Sequence, residues 1–235
     1  MTPWRDIRSK VSGGESEIAK IREAVRAKAG IDDFRELVKL SEQGTSREVV
    51  MLGCRALGQT RSRLVVDLLL EMSRSPDEEI ACEAIGALTV INSRRATRPL
   101  LKRLQDSTSE VVRNDIVFAL GILADRRAER LLCHFVVMHP SEMTRALAAQ
   151  SLAGAGGRKL TYEVLARATA DPFPVVRWSA LNSLGNLGQR RWAYLAEGCL
   201  NDDSVVETLP DRETVGQAAA RAYEALTKTL CRWAT

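Results

Sequence analysis

The sequence predicts an all-α fold: a right-handed α-solenoid of about five two-helix repeats, each of 31–32 residues, with degenerate caps at both ends. Three observations carry this expectation. First, the stretch PVVRWSALNSLGNLG at 174–188 recurs 32 residues earlier as EMTRALAAQSLAGAG, and again as EVVRNDIVFALGILA from Glu110 and EEIACEAIGALTVIN from Glu78. One further step of 31 residues reaches REVVMLGCRALGQTR at Arg47. A fixed period of this size marks stacked supersecondary units, each too small to bury its apolar face alone. Second, the residues opening these stretches (Val49, Ile80, Val112, Thr144, Val176) are followed eight positions on by Leu57, Leu88, Leu120, Leu152 and Leu184, one stripe at helical period. Third, aromatic residues make up only 5% of the chain, and few segments alternate as strands do.

In chain order, residues 1–14 hold Trp4 and Ile7 among charges and end at Ser12-Gly13-Gly14, a frayed segment or short cap. From Glu15, Ile18, Ile21 and Val25 fall at helical spacing, and Gly30 suits a helix C-cap. Asp32 or Asp33 can cap the next helix, with Phe34, Leu37, Val38 and Leu40 on its apolar face. This pair reads as a degenerate first repeat, its divergence in keeping with the polar outer face a terminal repeat must show. Five full repeats span 47–205. In each, the first helix runs from the anchor to the Leu-Gly region, and small residues at its fourth position (Gly53, Ala84, Ala148, Ala180) let neighbouring helices approach. A turn follows that often carries glycine: Gly58, Gly121, Gly154 with Gly156, Gly185 with Gly188. The second helix bears paired apolar residues such as Leu68-Leu69 and Leu100-Leu101, and a polar turn closes the repeat. After Asn201 the rhythm slips by about seven residues around Leu209-Pro210, and a capping helix is expected from Glu213 to about Arg232. No linker separates these parts, so 1–235 is expected to be one domain, with 206–235 as its C-terminal cap.

The charge balance, 34 basic against 30 acidic residues, permits an acidic partner without demanding one. Five cysteines without CxxC pairs, no secretory signal and no apolar run of the ~20 residues that span a bilayer point to a reducing, cytoplasmic setting with no membrane contact. His134 and His139 lack zinc spacing, so no metal is expected, and no catalytic group stands out.

The pattern V-R-x-x-A-x-x-x-L-G, clearest from Val112-Arg113 to Gly121 and from Val176-Arg177 to Gly185, resembles the short HEAT-like repeat of the phycobilin-lyase type. Thr144-Arg145 through Ala153 follows it well. Asp171 ahead of Val176-Arg177, and Asp125-Arg126-Arg127-Ala128 between two helices, match further elements of that repeat. The resemblance covers about residues 47–205 and implies fold more than function, because such repeats serve chromophore lyases, adaptors and regulatory scaffolds alike. Deoxyhypusine hydroxylases of this kind bind iron through His-Glu pairs, and neither histidine here is followed by Glu. A glycosylase cleft could be sought in Trp178, Trp192 and Asp171, but nothing in their spacing requires it.

Two constellations are candidates for function. Arg63, Arg95, Arg127, Lys159 and Arg191 recur every 32 residues, with Arg94, Arg126, Arg158 and Arg190 as a second rail, all between the two helices of a repeat. This basic edge suits an acidic partner or phosphates; alternatively it is part of the repeat's own packing. The second constellation is the exposed face of the second helices, which lines the concave side of such solenoids. There stand Arg98, Lys102, Arg130, His134, Tyr162 and Tyr194, residue types common at binding hot spots. The tyrosines could instead cover gaps beside Ala166 and Gly198. The leading expectation is a non-enzymatic scaffold that binds a protein or peptide of acidic character and needs no cofactor. The alternatives are a lyase-like or chaperone-like role on a chromophore protein, with a linear tetrapyrrole as ligand, and nucleic-acid binding through the Arg ladder. A second HEAT-like subunit is a further candidate partner.

Overall fold

The computed structural model describes residues 47–59, 61 and 63–228. The helices expected in 15–44, the cap at 1–14 and the end of the last helix near Arg232 lie outside them. The described residues form eleven α-helices: α1 (Arg47–Gln59), α2 (Val66–Met72), α3 (Glu78–Ile91), α4 (Thr97–Asp106), α5 (Glu110–Ile122), α6 (Glu129–Met138), α7 (Glu142–Ala155), α8 (Lys159–Ala168), α9 (Pro174–Leu187), α10 (Ala193–Gly198) and α11 (Val215–Lys228). Short 3₁₀ turns at Arg63–Val65, Arg94–Ala96 and Arg190–Trp192 lead into α2, α4 and α10. The fold class is the all-helical one expected, with two helices per repeat. The contacts divide the chain into two compact units, Met1–Ala119 and Leu120–Thr235.

In the first unit α3 packs against both α1 and α2. Leu57, Leu69, Ile85 and Leu88 on these helices, and Leu100 on α4, are almost wholly buried. In the second unit α7 lies between α6 and α9, α8 packs on α6 and α9, and α11 closes on α9 and α10. The end cluster is Leu181, Ala196, Val206, Val215, Ala219 and Leu226. The stripe read from the sequence is the buried one: Ala84, Ile116, Ala148 and Ala180 at the fourth position, and the five leucines at the eighth, are 0–1% exposed. Three of the first helices, α3, α5 and α7, begin on a side-chain cap. Asp77 accepts from the Glu79 and Ile80 amides, Ser109 from Val112 and Ser141 from Thr144, while Pro174 sits in the first turn of α9.

One sequence expectation is corrected. Gly58, Gly121, Gly154 and Gly185 were read as turn residues, yet all four lie inside helices. The reason is close approach. A Cβ on Gly121 would stand 2.7 Å from Ser151, and one on Gly58 would stand 2.9 Å from Ala87. Glycine here admits the next first helix, with Ala87 and Ser151 at its seventh position. Gly156 and Gly188 do serve turns, as the C-caps of α7 and α9, Gly188 in the left-handed region at φ 67°.

The Val-Arg arginines tie one repeat to the next. Arg145 donates from Nη1 to the His139 and Pro140 carbonyls at 2.9 Å each, and from Nε and Nη2 to Asp171 at 3.0 and 3.1 Å. One repeat on, Arg177 bonds the Asp171 and Pro172 carbonyls at 2.8 and 3.1 Å, and the Asp202 carboxylate at 2.8 and 3.3 Å. Arg113 keeps the first half of this clasp, donating to the Ser107 carbonyl at 3.1 Å. A guanidinium fork suits this task because it holds a planar carboxylate with two donors and still has one for the turn. At Asp202 burial alone would push the carboxyl up, but bonds from Arg177 and Ser204 and the Arg177 charge outweigh it and hold the pKa below the ordinary range.

Two predictions arise from this packing. Gly86 lies mid-helix in α3 with nothing within 4 Å of a Cβ, so Gly86→Ala gains helix propensity of about 0.8–1 kcal/mol. Gly121→Ala gains the same propensity but collides with Ser151, and is expected to destabilise by about 1–3 kcal/mol net. Thermal unfolding of the two variants checks the opposite signs. The depressed Asp202 pKa contributes stability that is present above the unfolded value near ~3.9 and lost as pH falls through the folded one. The parent chain should therefore lose more stability between about pH 5 and 3 than Asp202→Asn does. Equal losses would contradict the clasp's charge.

Candidate functional site

The second helices of the repeats present the candidate groups. In the first unit, α4 buries Leu100 and Leu104 and turns Arg98 and Lys102 outward. These two stand four residues apart on one face, with no acidic partner among the described residues. In the second unit, α6 buries Leu132 and Val136 and exposes Arg130 and His134, again four apart. Arg130 likewise has no acidic partner among the described residues. On α10 Tyr194 is 58% exposed.

Tyr162 is placed otherwise. It was expected on the exposed face, but it is 3% exposed. Its ring lies parallel to Trp192 at 5.9 Å between centroids, and the Arg191 guanidinium stands 5.8 Å from Tyr162 and 5.3 Å from Trp192. Tyr194 joins this group through Trp192 at 6.2 Å. Burial pushes the Tyr162 phenol above its ordinary pKa, against the lowering effect of the Arg191 charge. The tyrosine therefore packs against the 3₁₀ turn at Arg190–Trp192, and Lys159, Glu163 and Arg167 are exposed on α8 in its place.

The basic edge splits into committed and uncommitted charges. Arg127 donates through Nε to Asp125 at 2.9 and 3.0 Å. Arg158 Nε lies 3.3 Å from Glu129, whose carboxylate also accepts the Arg158 amide at 3.0 Å and the Thr161 hydroxyl. Glu129 is 2% exposed; it caps α8 from the neighbouring repeat and meets the positive end of that helix. Lys159 faces Glu163 at 3.5 Å, and Arg95 faces Asp67 at 3.6 Å. Arg94 also has an interaction partner. Arg63, Arg126 and Arg190 are exposed without an acidic partner among the described residues. Exposed pairs such as Arg95–Asp67 contribute little and exchange readily for an outside acid.

Among the described residues, burial raises the pKa of all four thiols, Cys54, Cys82, Cys133 and Cys199. Burial, then the Glu83 charge, pushes Cys54 up to about 12, and burial with a hydrogen bond to Asp115 pushes Cys82 up to about 12. Burial and the Glu129 charge push Cys133 up to about 11. Among the described residues no group of three His, Cys, Asp or Glu could hold a metal ion. No described helix is long and apolar enough to cross a membrane.

Comparisons with known proteins address the fold. Among solved structures, one engineered protein is similar at TM-score 0.50 and 20% identity, over 83% of this chain and 97% of that one. A second engineered protein reaches TM-score 0.50 and 22% identity over 89% of this chain and 62% of that one. The complex of CpcE and CpcF of phycocyanin lyase from Nostoc is similar at TM-score 0.48 and 18% identity, over 96% and 95% of the two chains. No curated protein matches the sequence. The family model for HEAT repeats matches residues 34–121 and 129–209. With more than half its length matched and two packed helices in each repeat, the chain belongs to the HEAT-repeat family.

Proposed function

We propose that the chain is a non-enzymatic scaffold that binds an acidic protein or peptide through the exposed faces of its second helices. The observation that carries this reading is the set Arg98, Lys102 and Arg130: exposed cations with no acidic partner among the described residues, on helices whose other face is core. Fold stability does not account for them. Two like charges four residues apart cost a helix about 0.2–0.5 kcal/mol. Such charges favour complexes by steering an oppositely charged partner and fixing its register. Tyr194 adds an exposed aromatic surface with a polar tip beside Trp192, and Arg126 and Arg190 add further cations at the turns. HEAT repeats commonly bind proteins, because stacked units vary their surface positions independently of the core.

The test is capture from native lysate at low and moderate salt, followed by affinity measurement on the captured protein with the parent chain and an R98E/R130E variant. A protein partner that survives moderate salt is expected, and the double reversal should weaken it at least tenfold, at about 1.4 kcal/mol per factor of ten. The melting free energy should stay within about 0.5 kcal/mol, as for exposed positions generally. Unchanged affinity would overturn the assignment of these faces. Nucleic acid that washes off with salt, with no protein retained, would reduce the basic edge to a non-specific attractor.

A further inference from the structure

The repeat pattern fails at one place, after Asn201, and the structure turns that irregularity into a cleft. Val205 and Thr214 form an antiparallel bridge, and the Val206 amide donates to the Glu213 carbonyl at 2.8 Å. The start of α11 is stitched to the preceding turn by Val215 N to Ser204 O at 3.0 Å and Gly216 N to Asp202 O at 2.8 Å. The loop between the bridged residues bows out beside α9 and α11 and bounds a cleft of about 690 Å³. Its walls include Trp178 from α9, Leu209, Pro210, Asp211 and Glu213 from the loop, and Arg221 from α11. The volume falls in the ~300–1,000 Å³ range of sites that enclose a ligand group.

The charges in this cleft are unequally committed. Glu213 accepts the Trp178 indole N–H at 2.6 Å and pairs with Arg221. Arg221 spends a second nitrogen on Asn182 at 3.3 Å. The single cation on the walls is thus engaged, which leaves no ready site for an anion. Asp211 is exposed and has no cationic partner among the described residues. An indole wall, a Leu-Pro lip and one uncommitted carboxylate complement a flat, weakly hydrated cation better than a compact, strongly hydrated one. A guanidinium can lie on an aromatic ring and donate two parallel bonds to a carboxylate, whereas an ammonium is a point charge.

We propose that this cleft receives an arginine side chain of a partner protein, with its guanidinium against Trp178 and paired to Asp211. The site is independent of the cationic faces above; either assignment can fail while the other stands. Four tryptophans give four indole N–H signals in ¹H–¹⁵N spectra of the full chain, and Trp178→Phe identifies the one concerned. Titration with N-acetyl-arginine amide is expected to move the Trp178 signal saturably at millimolar concentration. N-acetyl-citrulline amide, the same shape without charge, should leave it in place, and N-acetyl-lysine amide should bind at least threefold more weakly. Asp211→Asn, a change at an exposed side chain, should weaken the arginine probe at least fivefold with the spectrum otherwise preserved. A Trp178 signal that stays still, moves equally with citrulline or lysine amide, or responds as before in Asp211→Asn would overturn the proposal.

Discussion

The first helices of neighbouring repeats meet through their smallest residues, and the rest of each unit is arranged around that approach. Gly58 opposes Ala87, Gly121 opposes Ser151 and Gly185 opposes Ala222, with a Cβ on any of the three glycines falling 2.7–3.1 Å from its neighbour. Helices that touch backbone to side chain lie at the near end of the usual 8–10 Å separation. At that distance a polar side chain can stand at the contact only if it is satisfied. Ser183 meets this condition, donating to the Ala149 carbonyl at 2.8 Å. The same short step lets Arg145 span from its own turn to Asp171 in the next one.

Arginine then serves three distinct purposes on one repeat. Inside the Val-Arg pair it is a clasp, with side chains only 11% and 14% exposed at Arg145 and Arg177. A carboxylate removed from such a clasp would leave its guanidinium mostly buried without a counter-charge, a costly arrangement. Between the helices arginine is divided. Arg127 and Arg158 are held by Asp125 and the buried Glu129, and Arg191 covers an aromatic pair. On the second helices Arg98 and Arg130 have no acidic partner among the described residues.

Much of this was legible in the sequence, and the reasons differ by residue. The buried leucines at the eighth position were visible because helical period and repeat period reinforce each other. The glycine positions were visible, but their purpose was misread: a glycine at a helix end and one at a helix crossing look alike until the opposing residue is known. Tyr162 was assigned by register to the exposed face beside Arg98 and Arg130. Its burial depends on Trp192, a partner from the next repeat, and no single-repeat pattern carries that information. Glu129 was overlooked for the same reason, since the helix it caps belongs to the next repeat. The slip after Asn201 was noticed as an insertion, but a cleft needs the loop's path, which the bridge between Val205 and Thr214 determines.

The central claim is that the uncommitted cations of the second helices meet an acidic partner. Zero-length carbodiimide cross-linking of the chain with its captured partner addresses it most directly, because the reagent joins an amine to a carboxylate only where the two are in contact. Lys102 provides the amine on the face of α4, and Lys228 at the end of α11 provides a second exposed amine outside the second helices. The account predicts peptides joining Lys102 to Asp or Glu of the partner, lost when Arg98 is reversed in charge. Cross-links confined to Lys228, with Lys102 unmodified in the complex, would contradict it.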